Sequence, residues 1–217
     1  QPTGRSARER RCMMADRPII FSAPMIQALL DGRKSQTRRL IDAPGLFGWH
    51  VDRVGPTGWQ WTADGGAPRI PFRPRYAVGD RLWVKEAFRG SKGYDAYPPR
   101  EWSHWPVHYE ADGAPYPRDE VGENGKLRSP IHMPLWASRL TLTVTDVRVE
   151  RLQEISEDDA FEEGVTRLDV PLATYKAAFR DLWNHLHGPH AWDRNDWVAA
   201  YTFEVARGNI DQIGGAA

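Results

Sequence analysis

Apolar positions recur along this chain with two different periods. Pro18-Ile19-Ile20-Phe21 is a short apolar run that reads as an extended segment. Behind it Ser22 stands where a helix N-cap belongs, and Pro24 lies in the first turn. Met25, Ile26, Leu29 and Leu30 follow at three- and four-residue spacings, which predicts one buried helix face ending at Gly32. Residues 81–88 (RLWVKEAF) alternate as a strand after a Gly79-Asp80 turn. Leu140, Leu142 and Val144 alternate with threonines, then the phase slips at Asp146 before Val147 and Val149. A slip of this kind predicts a β-bulge, the device that turns a strand around a barrel corner. Residues 197–205 (WVAAYTFEV) form a last strand with Trp197, Tyr201, Phe203 and Val205 on one face.

Two further helices are signalled. Ser156 followed by Asp159 opens a short acidic helix that ends at Gly164. Pro171 begins a longer one, in which Leu172, Tyr175, Phe179, Leu182 and Leu186 make a core stripe closed by Gly188-Pro189. Residues 44–70 and 90–130 are rich in Gly, Pro and Trp without periodicity and read as two long loop insertions. The whole predicts an α+β domain over residues 17–206, a small, partly closed β-barrel flanked by helices. Residues 1–16 read as a tag-like or disordered extension and 207–217 as a flexible tail.

Composition narrows the function classes. No apolar run approaches the roughly 20 residues a membrane-spanning helix needs, and a mean hydropathy of -0.61 suits a soluble protein. The single cysteine, Cys12, excludes an internal disulfide framework and a Cys-based zinc cluster, and points to a cytoplasmic location. The net charge of zero conceals an asymmetry: residues 17–100 carry 14 Lys and Arg against 7 Asp and Glu, whereas residues 101–217 carry 11 against 20. A basic half with a compact basic motif is a footprint for phosphate or nucleic acid. Ten tryptophans add stacking capacity; Trp49, Trp59, Trp61, Trp102 and Trp105 either stack on bases or pack the insertions onto the barrel.

The densest polar cluster is Gly32-Arg33-Lys34-Ser35-Gln36-Thr37-Arg38-Arg39. On composition it reads as a solvated basic loop after a helix C-terminus, or as a site in which Lys34 activates the Thr37 hydroxyl three residues away. Glu163 stands out separately, because a carboxylate at a helix C-terminus opposes the helix dipole. His104 with His108, and His185 with His187 and His190, have spacings that permit a metal, but the second set sits at the end of a Gly-Pro-terminated helix without a clear carboxylate partner, and no metal and no cofactor is expected. Lys85 and Glu86 fall on opposite faces of their strand.

GRKSQTRR after an amphipathic helix resembles the G-x-K-x-x-[ST]-x-R signature of the ASCH family, whose members have a PUA-like barrel. Residues 76–84 (YAVGDRLWV), 142–149 and 155–164 (ISEDDAFEEG) resemble further family segments in family order, spanning about residues 17–206. The longer form with WVKEAF and SPIHMPLWASRL resembles a version common in phages and prophages. The resemblance implies an amidohydrolase that removes the acetyl group from 4-acetylcytidine, with Lys34, Thr37 and Glu163 at the working positions. It places Arg33, Arg38, Arg39 and Trp83 at the substrate or nucleic acid, and its expected partner is a modified nucleoside, RNA or single-stranded nucleic acid. Other family branches imply a non-catalytic reader of RNA or modified DNA, or a ribonuclease.

Overall fold

The computed structural model describes residues 15–44, 48–55, 58–63, 69–102, 106–113, 123–166 and 174–213. In chain order its elements begin with strand β1 (Asp16–Ile20), helix α1 (Ala23–Leu30) and strand β2 (Gln36–Leu40). Strands β3 (Trp49–Val54), β4 (Gly58–Ala63), β5 (Ile70–Phe72), β6 (Arg81–Lys85), β7 (Phe88–Arg89) and β8 (His108–Tyr109) come next. The chain continues through β9 (Leu140–Arg151), α2 (Glu157–Glu162), α3 (Tyr175–His187) and β10 (Trp197–Arg207).

A five-stranded sheet ordered β1-β6-β9-β10-β2 carries the fold, so the protein is α+β. Its longest ladder pairs β9 with β10, and its register shifts where expected: Thr202 faces Asp146 while Phe203 faces Val144, leaving Thr145 as the extra residue. That extra residue keeps Leu142, Val144 and Val147 all on the buried face despite the slip in spacing. They pack with Ile19, Phe21, Ile26, Leu29 and Tyr201 as the main core. The opposite face at the far end of β9 and β10 is covered by α2 and α3 through Leu152, Ile155, Phe179, Trp183 and Val198.

The sheet is open among the described residues. β1 and β2 are its two edges, and no backbone ladder joins them. A side-chain link crosses between them: Arg39 Nη2 donates to the Ile20 carbonyl at 2.9 Å.

Several expectations change. Residues 44–70 are not all loop, because β3, β4 and β5 form a three-stranded antiparallel sheet; Gly and Pro at its turns masked the alternation of Trp59, Trp61 and Ala63. The strand expected over 81–88 stops at Lys85, where Glu86 turns inward, is 1% exposed and forms a two-pronged pair with Arg139. The start of α3 is set by Thr174, whose side chain accepts from the Ala177 amide; Pro171 and Leu172 lie outside the described residues. On α3, Phe179 and Trp183 are buried, while Leu186 is 47% exposed and leaves the core stripe. The stretch expected as a flexible tail packs back through residue 213: Ile210 is fully buried and Arg81 Nη1 donates to the Ile210 and Ile213 carbonyls. Two isoleucines, Ile210 and Ile213, in a short polar and Gly-rich stretch are too few to establish a periodicity that would have revealed this.

Candidate functional site

After α1 the chain folds back sharply. Gly32 adopts a positive φ of 72°, and the amides of Arg33 and Lys34 both donate to the Ala28 carbonyl. Lys34 then forms an isolated antiparallel bridge with Glu163, and the Ser35 amide donates to the Glu162 carbonyl. The motif is therefore stitched to the C-terminal end of α2 before it becomes β2, and the solvated-loop reading does not hold.

Gly164 makes this approach feasible. Its φ is +82°, and a Cβ there would lie 2.8 Å from the Cβ atoms of both Ala28 and Lys34. Only a residue without a side chain lets Glu163 reach the Lys34 backbone. At this junction Lys34 Nζ donates to Glu163 Oε2 at 2.9 Å and to the Glu163 carbonyl at 2.7 Å. The lysine is 1% exposed and Glu163 4%. Burial depresses the Lys34 pKa from its ordinary value, Arg39 and Arg38 add to that, and Glu163 opposes it.

The other Glu163 oxygen accepts from Arg38 Nη1 at 3.2 Å. Arg38 was expected at a phosphate, but its side chain is fully buried and serves the interior. Nε and Nη2 bond Glu150, Nη2 lies 3.3 Å from Asp159, and Nη1 also reaches Gln36. Every guanidinium nitrogen has a protein acceptor, so Arg38 positions Glu163 and ties β2 to β9 and α2. Gln36 completes the network through Asp159 and Glu162. Arg148 donates to Asp159 at 2.7 Å, and its hydrogen bond with Gln36's holds that carboxyl far below the ordinary carboxylate range against the opposing effect of burial.

Strand alternation separates the remaining motif residues. Arg38 pairs with Ala200, on the face covered by α3, and its guanidinium lies 5.9 Å from the Phe179 ring. Thr37 pairs with Tyr201 and so faces the main core with Arg39. Phe21 is the shared neighbour there: Lys34 Nζ is 5.5 Å from its ring centroid and the Arg39 guanidinium 5.1 Å. Among the described residues no hydrogen bond joins Thr37 to Lys34 or Glu163, so the structure assembles the Lys34–Glu163 pair but not the Lys34–Thr37 contact. Tyr76, in the turn before β6, and Tyr201, on β10, lie edge to face at 5.1 Å; the sequence offered them only as core or motif positions, with no signal that they meet. Burial pushes the Tyr201 pKa up to about 12.

Trp83 does not join this group. Its neighbours Leu82 and Val84 point into the core, so Trp83 turns to the outer face of β6, where Lys85 Nζ lies 5.1 Å from its ring. Arg33 does border the site: it is half-buried, donates to the Gly164 carbonyl at 3.1 Å and lines a cleft of about 510 Å³. Glu163 and Gly164 line the same cleft, with Met25, Leu182 and Leu186 as apolar wall. That volume lies within the range of small-molecule sites.

The histidines do not gather. His187 stacks on Trp183 at 4.1 Å and its pKa is pushed down by burial, His190 pairs with Asp193, and His104 lies outside the described residues. Among the described residues no group of three or more His, Cys, Asp or Glu side chains is arranged to hold a metal ion. Trp102 is 3% exposed and packs on Phe88 beneath the second insertion, while Trp105 lies outside the described residues. No described helix is long and apolar enough to cross a membrane. Neither family models, curated proteins nor solved structures gave a match to this chain.

Proposed function

We propose that this protein is an ASCH-type amidohydrolase with a PUA-like barrel, acting on the acylated exocyclic amine of a cytosine nucleoside, with Lys34 and Glu163 as its acid–base centre. The observation that carries this reading is the buried Lys34–Glu163 contact at 2.9 Å between residues 129 positions apart. Burial pushes the Lys34 pKa down from its ordinary value, with Glu163 opposing, which is the direction a lysine needs in order to serve as a base.

In this reading Thr37 Oγ1 attacks the acyl carbonyl carbon while neutral Lys34 takes the hydroxyl proton. Lys34 returns that proton to the cytosine N4 as the C–N bond breaks, and water then releases the acyl group from Thr37 as a carboxylate. Glu163 holds Nζ in place and Arg38 holds Glu163. The nucleoside enters by the cleft that Arg33 and Glu163 line. Substrate binding has to bring the Thr37 hydroxyl to Nζ, as often happens when catalytic hydrogen bonds tighten only in the complex.

A non-catalytic reader is the competing reading, and one observation favours it: Thr37 is not bonded to Lys34. Thr37→Val separates the two. It removes the attacking oxygen at nearly constant volume, so acetate release from 4-acetylcytidine should be lost while nucleoside affinity changes by no more than a few-fold. A wild type inactive on a panel of acylated cytosines, yet able to bind modified nucleic acid, would establish the reader instead.

A further inference from the structure

The four cations of the basic motif are not equally satisfied. Arg33 pairs with Asp31, Lys34 with Glu163, and Arg38 with Glu150, Asp159 and Glu163. Arg39 is half-buried, yet no carboxylate lies within ion-pair distance of it among the described residues. Its Nη2 donates to the Ile20 carbonyl, its guanidinium lies 5.1 Å from the Phe21 ring centroid, and its remaining N–H donors have no protein acceptor among the described residues. Burial pulls the Arg39 pKa below the ordinary arginine value, Glu163, Tyr76 and Tyr201 oppose this, and Arg75 adds to it. An arginine keeps its charge all the same, and a partly desolvated charge without a counter-ion is costly.

Two further donors lie beside it. Arg39 pairs with Ala199 and Thr37 with Tyr201, so Arg39 and Tyr201 are diagonal neighbours on one face of the sheet. Tyr201 is 1% exposed; its oxygen accepts from the Tyr76 amide at 3.5 Å, and no acceptor takes its hydroxyl proton among the described residues. Its raised pKa keeps that proton in place at neutral pH. Arg75 is exposed, lies over the Tyr76 ring at 5.6 Å and has no ion-pair partner among the described residues. The two carboxylates whose charge reaches this group are committed elsewhere. Glu163 serves Lys34 and Arg38, and Asp80 serves Arg17 and the amides of Ala15 and Ala77. Phe21 joins the group to the acid–base pair, since Lys34 Nζ lies 5.5 Å from the same ring centroid.

We infer that Arg39, the Tyr201 hydroxyl and Arg75 form an anion subsite beside the Lys34–Glu163 pair, and that it takes a phosphate carried by the substrate nucleoside. Spare N–H and O–H donors around an uncompensated charge suit phosphate oxygens, two of which a guanidinium can hold at once. The anionic group of a cytosine nucleotide is its phosphate, whether free as a monophosphate or linking a strand. The preferred substrate is therefore a nucleotide and not the bare nucleoside. The identity of that substrate rests on the amidohydrolase reading, whereas binding alone tests the subsite.

The test compares calorimetric binding of cytidine and cytidine 5′-monophosphate to the full chain at low salt, together with turnover of 4-acetylcytidine and its 5′-monophosphate. The monophosphate should bind about 10- to 100-fold more tightly than cytidine, the range that hydrogen bonds to a charged group supply, and inorganic phosphate should compete with it. Arg39→Gln should remove most of that preference, and Arg39→Lys should recover part of it. Tyr201→Phe should lower the preference by up to about tenfold. Arg75 is exposed, so Arg75→Ala does not threaten folding and should lower it by about 2- to 5-fold. Arg180→Ala, which removes an exposed cation on α3, should leave it unchanged. Faster turnover of the free monophosphate than of the same residue in a short RNA strand identifies the nucleotide as the natural source, and the reverse order identifies the strand. Equal affinity for cytidine and its monophosphate would overturn the inference, as would a preference that survives both Arg39→Gln and Arg75→Ala in variants that melt like the wild type. Turnover of 4-acetylcytidine with no gain from the phosphate would overturn it too while leaving the hydrolase reading intact. Arg39-dependent binding of the monophosphate without turnover of any acylated cytosine would uphold the subsite and refute the hydrolase.

Discussion

Replacing Lys34 with methionine should destabilise the protein, and the size of the loss should depend on pH in a direction set by burial. The change leaves the Glu163 carbonyl without its 2.7 Å donor and removes one donor from a carboxylate that keeps Arg38. Removing one member of a buried pair costs about 3–5 kcal/mol. The retained arginine puts the expectation at about 3 kcal/mol, or a melting point lower by about 6–12 °C for a chain of this size. Because the folded-state pKa of Lys34 lies below its unfolded value, the unfolded chain binds the extra proton between those two pKa values. Wild-type stability should therefore gain on Lys34→Met as pH rises through that window, by up to about 1.4 kcal/mol per pH unit, and the gain should stop near pH 10.5. Urea unfolding of both proteins at half-unit steps from pH 7 upward measures this as a difference, so tyrosines and other lysines cancel. A gap that stays constant or narrows with rising pH would show that burial does not disfavour the ammonium, and the base role argued for Lys34 would lose its physical ground.

Two further outcomes follow from the same junction. Gly164→Ala should lower stability by more than about 1 kcal/mol, through its +82° φ and the 2.8 Å approaches to Ala28 and Lys34; thermal melting and loss of turnover at substrate saturation check it together. Arg38→Met should act on folding first, since it leaves the buried Glu163 and the half-buried Glu150 without their guanidinium; a large fall in melting point is expected, and a stable variant with only weakened ligand binding would return Arg38 to the surface role its sequence suggested.

What the sequence revealed was whatever depends on local periodicity or on a residue in the wrong place for its own element. The bulge in β9 was legible because it preserves one buried face across a change of spacing. Glu163 was legible because nothing in α2 justifies a carboxylate there, and Lys34 because it sits in a compact motif. The role of Arg38 was not legible, since its acceptors Glu150 and Glu163 lie 112 and 125 residues away and charge compensation is a property of the folded chain. The same fact accounts for the bipolar charge: β2, from the basic half, lies beside β10 and α2 from the acidic half, and Arg38 reaches Glu150 on β9, so that arginine is neutralised inside the protein. Trp83 was misjudged because its motif fixes the strand but not which face looks toward Lys34.

Lys34→Arg bears most directly on the central claim. It keeps a donor that can hold Glu163, yet an arginine stays protonated at any working pH and cannot accept the proton of an attacking hydroxyl. Single-turnover release of acetate from 4-acetylcytidine should be lost in this variant while its melting point stays close to that of the wild type. Retention of wild-type turnover within tenfold would contradict the account, because the Lys34–Glu163 pair would then be a structural tie and the chemistry would belong elsewhere.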